Sequence, residues 1–86
     1  MAVYRIFFKA SAEKELETIP RRDLQRIMER IAGLAFDPRP QGSEKLSGQE
    51  RFRIRQGNYR IVYSIQDLEL TVWVVKAGHR REVYRQ

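Results

Sequence analysis

Seven residues in the second half of this chain have the types and spacing to do chemistry on a polyanion. They are Arg53, Arg55, Arg60, His79, Arg80, Arg81 and Tyr84. Forked guanidiniums suit phosphate oxygens, which they can bind through two parallel N–H donors. Imidazole and phenol are side-chain types that can give up or take a proton, so both are candidates for proton transfer. Taken singly, each also has an ordinary reading: a lone histidine is more often structural, and a lone tyrosine more often packs. The pattern of the arginines is more informative than either.

Three of these arginines are placed by strand geometry. Side chains alternate between the two faces of a strand, so Phe52 and Ile54 share one face while Arg51, Arg53 and Arg55 share the other. Gly57-Asn58 is a two-residue hairpin signal, since glycine takes positive φ without steric penalty. Counting outward from that turn pairs Gln56 with Tyr59, Arg55 with Arg60, Ile54 with Ile61, Arg53 with Val62 and Phe52 with Tyr63. One face then carries Phe52, Ile54, Ile61 and Tyr63, and the other collects Arg53, Arg55 and Arg60. Like charges opposed across a sheet are destabilising by up to about 1 kcal/mol. An anion site accounts for such a cluster. The competing expectation is that the heads splay into solvent or meet carboxylates such as Glu50 or Glu82, although residues 51–66 contain no acid.

The elements that must carry these strands are legible in outline. Residues 3–9 (Val-Tyr-Arg-Ile-Phe-Phe-Lys) are aromatic and β-branched and predict a strand. Ser11 is expected to cap a short helix running through Leu16, with Glu13 favourable in its first turn. Pro20 stands where a second helix would open, and Leu24, Ile27, Met28, Ile31, Leu34 and Ala35 form its apolar stripe opposite Arg22, Gln25, Arg26 and Glu29. Met28 is read as core with the aliphatics. Asp37-Pro38 stops that helix. Residues 37–49 are expected to be a loop, followed by strands near 51–56, 59–65 and 69–77. The order β-α-α-β-β-β predicts an α+β fold, an antiparallel sheet with a two-helix layer on one face. Trp73 lies on a strand whose face the second hairpin leaves open; it either packs across strands or offers a ring to a base.

Composition sets the bounds. Eighty-six residues predict one domain over 1–86. The absence of cysteine excludes disulfides and thiolate metal sites, and one histidine without clustered carboxylates makes a poor metal site, so no metal and no cofactor are expected. The longest apolar run, Val72-Trp73-Val74-Val75, falls far short of the roughly 20 residues of a bilayer span. Arg5 and Lys9 bracket Ile6-Phe7-Phe8, which rules out a signal-peptide stretch there. A cytoplasmic protein with no membrane partner is expected. The net charge of +6 is concentrated: residues 1–50 hold nine Lys/Arg against eight Asp/Glu, residues 51–86 eight against three. Such a basic half is the footprint of a polyanion binder.

Four segments together, Leu46-Ser47-Gly48, Phe52-Arg53-Ile54-Arg55, Gly57-Asn58-Tyr59-Arg60-Ile61-Val62-Tyr63 and Gly78-His79-Arg80-Arg81-Glu82-Val83-Tyr84, resemble the RelE/ParE superfamily of type II toxins. The resemblance covers essentially the whole chain and lies closest to the RelE branch, which cuts mRNA in the ribosomal A site. It implies a ribosome-dependent endoribonuclease with ribosome, mRNA and a cognate antitoxin as partners, in a toxin–antitoxin heterocomplex. Residue by residue, it implies that Arg53 and Arg55 match the family's two basic strand residues, Arg60 its phosphate-binding arginine, Arg80 its C-terminal basic residue and Tyr84 its terminal aromatic. Tyr84 is then the candidate base, with His79 the runner-up on residue type. Lys45, Arg51, Arg81 and Arg85 would then contact the RNA backbone. Lysines stand at the positions of Arg53 and Arg55 in the best-known RelE. Arginine does not deprotonate in proteins, so here these two suit charge stabilisation rather than base catalysis. The alternatives are a ParE-like gyrase-inhibiting toxin, a branch that lacks the cleavage cluster, and an RNA- or ribosome-binding module that does not cut.

Overall fold

The computed structural model describes residues 3–48 and 50–79. Strand β1 (Arg5–Phe8) leads into helices α1 (Ala10–Glu17) and α2 (Arg21–Gly33). Strands β2 (Glu44–Lys45), β3 (Phe52–Gln56), β4 (Tyr59–Gln66) and β5 (Thr71–His79) follow. The sheet order is β1-β5-β4-β3-β2. Strands β3 to β5 form the expected antiparallel meander and β2, from the segment read as loop, extends it, but β1 lies parallel to β5, with Phe7 beside Trp73. The sheet is therefore mixed, and α+β remains its class. Alternation in sequence fixes which face a residue takes but not the direction of its neighbour, which is why this pairing was not legible.

The β3–β4 ladder has the register counted from the turn, with Arg55 opposite Arg60 and Ile54 opposite Ile61. Gly57 has φ of +60°, while Asn58 keeps a negative φ, the glycine-first hairpin turn that matches strand twist. Ile54, Ile61, Tyr63, Val72 and Val74 face the helices and are fully buried with Ala12, Ile27, Ile31 and Leu34. A bulge interrupts β4–β5: Val62 pairs with Lys76, but Tyr63 pairs with Val74. The extra residue, Val75, lets Val74 and Ala77 both enter the core although they are three apart. Glu15 of α1 closes the bulge, accepting from the Ala77 N–H and from Lys76 Nζ, each at 3.0 Å.

Three local expectations are corrected. Helix α1 begins at Ala10 with extended Lys9 as its N-cap and no side-chain cap, so Ser11 lies inside the first turn. The Lys9 N–H still donates to Val74 O at 2.9 Å, and the chain turns into the helix directly after that last sheet bond. Helix α2 closes at Gly33, where Leu34, Ala35 and Phe36 donate to carbonyls three residues back and tighten the end before Asp37-Pro38 is reached. Met28 is 39% exposed: Ile27, Ile31 and Leu34 face the sheet, and Met28 falls at the margin of that stripe. No helix among the described residues is long and apolar enough to cross a membrane.

Two contacts hold the segment after α2 against the sheet. The buried Tyr63 hydroxyl donates to Pro38 O at 2.8 Å, and burial pushes its pKa up to about 12. Asp67, in the β4–β5 turn, takes both ends of the Arg39 guanidinium, at 2.9 and 3.2 Å, and the Tyr4 hydroxyl at 2.6 Å. The Arg39 bond, then that of Tyr4, holds the Asp67 carboxyl down to about 2 from 3.8. A carboxyl depressed in the folded state stabilises fully above its unfolded pKa, and that contribution is lost as pH falls through the folded value. The melting temperature should therefore drop between about pH 4 and pH 2, and Asp67→Asn should flatten that drop while lowering Tm at neutral pH. An unchanged acid slope in the variant would contradict the clamp.

Candidate anion-binding face of the sheet

One sheet face packs on the helices, and the other carries the cluster expected from the sequence. Arg55 and Arg60 are direct cross-strand partners, and Arg53 lies two residues along β3 on the same side. The three differ in setting: Arg55 is exposed, Arg53 keeps 17% of its side chain exposed, and Arg60 is buried at 9%. Opposed guanidiniums repel, and the partial burial of two of them weakens screening by water, so the face is electrostatically loaded toward an anion.

A residue outside the expected set completes this face. Strand β2 lies in the segment read as loop, and its Glu44 pairs with Arg53 across the ladder. The Glu44 carboxylate accepts from an Arg53 Nη at 2.5 Å. That hydrogen bond and the Arg53 charge, with smaller contributions from Arg55 and Arg60, lower the Glu44 pKa and keep it ionised. Among the described residues Arg53 meets Glu44 rather than the expected Glu50, and Glu82 lies outside the described residues. Glu50 instead lies 4.0 Å from Lys45. The signal that could have located Glu44 is Ser47-Gly48, a turn dipeptide: Gly48 has φ of +70°, and the Leu46 N–H donates to Arg51 O at 2.8 Å to bring β2 alongside β3.

The remaining candidates distribute differently. His79 pairs with Tyr59, and their rings meet edge-on at 5.9 Å. Both line a helix-side cleft with Lys14, Glu15 and Thr18, on the opposite face from Arg55 and Arg60. The reason is strand length. β5 runs on to His79 instead of ending near residue 77, and its ladder places that side chain beside Tyr59. Lys45 lies opposite Phe52, which puts it on the helix-side face, and Arg51 is exposed just before β3. Arg80, Arg81, Tyr84 and Arg85 lie outside the described residues. Among the described residues no three His, Cys, Asp or Glu side chains converge in a way that would hold a metal.

The different settings of the arginines separate stability from binding. Arg55→Gln removes one charge of the opposed pair at an exposed position, so the free protein should be as stable or more stable by up to about 1 kcal/mol. Arg60→Gln replaces a buried side chain and should cost about 1–3 kcal/mol. Inorganic phosphate or sulfate should raise the Tm of the native chain more than that of Arg55→Gln. Thermal unfolding curves with and without the anion check all three. A less stable Arg55→Gln with an unchanged response to phosphate would mean the pair is structural.

Known proteins resemble this chain over nearly its whole length. A family model described as the ParE toxin of the type II toxin–antitoxin system, parDE, matches residues 6–84. Toxin RelG of Mycobacterium tuberculosis is 32% identical over 87 residues, covering 96% of this chain and 98% of its own length. The toxin–antitoxin complex RelBE2 of the same organism contains a chain that superposes with a TM-score of 0.83 at 29% identity, over 95% of this chain and 97% of that one. An archaeal RelE–RelB complex from Pyrococcus horikoshii OT3 gives 0.82 at 26% identity, over 93% and 98%. The chain belongs to the ParE toxin family of type II toxin–antitoxin systems, within the RelE/ParE superfamily.

Proposed function

We propose that this toxin is a ribosome-dependent endoribonuclease that cuts mRNA in the A site and so inhibits translation in the cytoplasm. The observation that carries the reading is the convergence of Arg53, Arg55 and Arg60 on one sheet face, at the positions the RelE resemblance assigns to phosphate binding. The 2′-OH attacks the adjacent phosphorus as the bond from phosphorus to the 5′ oxygen breaks. A 2′,3′-cyclic phosphate and a 5′-OH result. The proton from the 2′ oxygen passes to a base, and the departing 5′ oxygen takes up a proton. Guanidiniums fixed around the phosphate stabilise the phosphorane charge, so the reaction as drawn calls for no metal.

Arg53 releases Glu44 to take a phosphate oxygen, Arg55 and Arg60 take others, and Arg80 joins them. Tyr84 is the proposed base, the residue that matches the terminal aromatic of the RelE resemblance, and guanidiniums around a phenol would favour its phenolate. His79 was the other candidate; its place beside Tyr59 on the helix side favours Tyr84. Arg51, Arg81 and Arg85 are proposed to touch RNA backbone outside the reacting phosphate, whereas Lys45, on the helix-side face with His79, drops out of that set. With so few groups for proton transfer, the substrate must arrive oriented for in-line attack, and the ribosome provides that orientation.

The two related structures described above are toxin–antitoxin complexes, and a cognate antitoxin is proposed to bind this chain and hold it inactive in a heterocomplex. The basic second half favours an acidic partner whose affinity falls with salt. A second reading, inhibition of gyrase, is kept because the matching family model is named for ParE.

Incubation of the purified toxin with programmed ribosomes tests the proposal. mRNA should be cut where the A site is vacant, leaving cyclic-phosphate ends, while protein-free RNA stays nearly intact. Tyr84→Phe should lower the rate by about 10²-fold or more with ribosome binding retained. His79→Ala should stay close to native activity. Uncut mRNA together with double-strand DNA breaks in expressing cells would instead support the gyrase reading.

A further inference from the structure

The open face of the sheet does not end at the arginines. The parallel β1–β5 pairing sets Phe7 beside Trp73, and their rings stack with centroids 5.1 Å apart and planes inclined by 30°. Each ring has its own cation: Arg5 stands 5.7 Å from the Phe7 centroid, and Lys9 Nζ stands 4.6 Å from that of Trp73. Phe7 is 39% exposed. The core does not need these rings, because the alternate residues Ile6, Phe8, Val72 and Val74 are the ones that pack against it. Two large aromatics on the solvent side of a sheet, each under a cation, are therefore not explained by the fold.

Trp73 pairs with Ser64, which lies four residues along β4 from Arg60 on the same face. At about 3.3 Å per residue that is roughly 13 Å, the length of about four stacked nucleotides at ~3.4 Å each. Val62, between them, is uncharged and only 5% exposed, so a nucleic-acid strand would pass above it rather than onto it. Glu44 at the far edge is the only acidic residue in any described β-strand. Aromatic faces beside cations, continuous with a basic patch, are how sequence-tolerant sites hold single strands: bases stack on rings and phosphates meet the cations.

We infer that Phe7 and Trp73, flanked by Arg5 and Lys9, form a base-stacking platform for single-stranded RNA that continues into the arginine cluster. The occupant must be single-stranded, since a duplex keeps its base faces stacked on one another. When a base seats on Trp73, the Lys9 ammonium leaves the ring for the adjoining phosphate. The choice of RNA rests on the nuclease reading above, but the binding can be read without any cleavage.

Trp73 is the only tryptophan of the chain, so its emission reports on the platform directly. The probe is a short single-stranded RNA with methylated 2′ oxygens, which cannot undergo the cleavage step. Native toxin should show saturable quenching of Trp73 that weakens as salt rises. By anisotropy of the same labelled RNA, Trp73→Leu should bind roughly 5- to 100-fold more weakly. Phe7→Leu, which keeps the reporter, should weaken both quenching and affinity several-fold. It carries the test alone if Trp73→Leu fails to give a native melting curve. RNA that binds without changing the emission, and binds both variants as tightly as native toxin, would overturn the platform. Emission that changes with protein concentration alone would overturn it too, by assigning the rings to a second copy of the chain. Quenching that persists while programmed ribosomes stay uncut would refute the nuclease reading and leave the platform standing.

Discussion

Which side of the sheet each β3 and β4 residue faces depends on the pairing that starts at Gly57. A one-residue slip would carry Arg53 and Arg55 toward the helices and turn Ile54 out to water. Placing guanidiniums in the apolar core against the helices costs several kcal/mol each, far more than the few tenths to about 1 kcal/mol of repulsion between them on the other side. The apolar face thus holds the register, and the arginines remain crowded because moving them would be worse. The like charge that costs the exposed Arg55 a little in folding is also what fits the cluster to the phosphate proposed to bind there.

The clamps around the sheet serve the same arrangement. Tyr63 holds Pro38, and Asp67 holds Arg39, so the chain leaving α2 is fixed before it reaches β2. Only then can Glu44 stand beside Arg53. This carboxylate offsets part of the cationic charge, and a phosphate at the proposed site would have to replace it. On the opposite side, Glu15 ties α1 to the bulge in β5 and sets the wall of the cleft that holds His79. The two faces of the sheet are thereby kept chemically separate.

Much of this was legible in the sequence because it rests on short-range periodicity. The alternation in 52–56 and 59–63, with glycine at the turn, gives the β3–β4 ladder residue by residue. The helical stripe gives Ile27, Ile31 and Leu34 as core, but its margin is ambiguous, and Met28 lies outside it. What the sequence did not reveal depends on contacts distant in the chain. The parallel place of β1 needs the whole sheet, and the rings of Phe7 and Trp73 meet only through it. Glu44 sits on a strand of two residues, too short for any periodic signal. The face of His79 follows from how far β5 runs, and strand ends are the least marked part of any strand.

The central claim, that the open-face arginines are the anion site, is tested most directly by following side-chain Nε–H resonances of isotope-labelled toxin during phosphate titration. The account predicts that Arg53, Arg55 and Arg60 shift together along one saturating curve, while the helical Arg21, Arg22 and Arg26 stay still. Equal movement of the helical arginines, or a response confined to them, would contradict it.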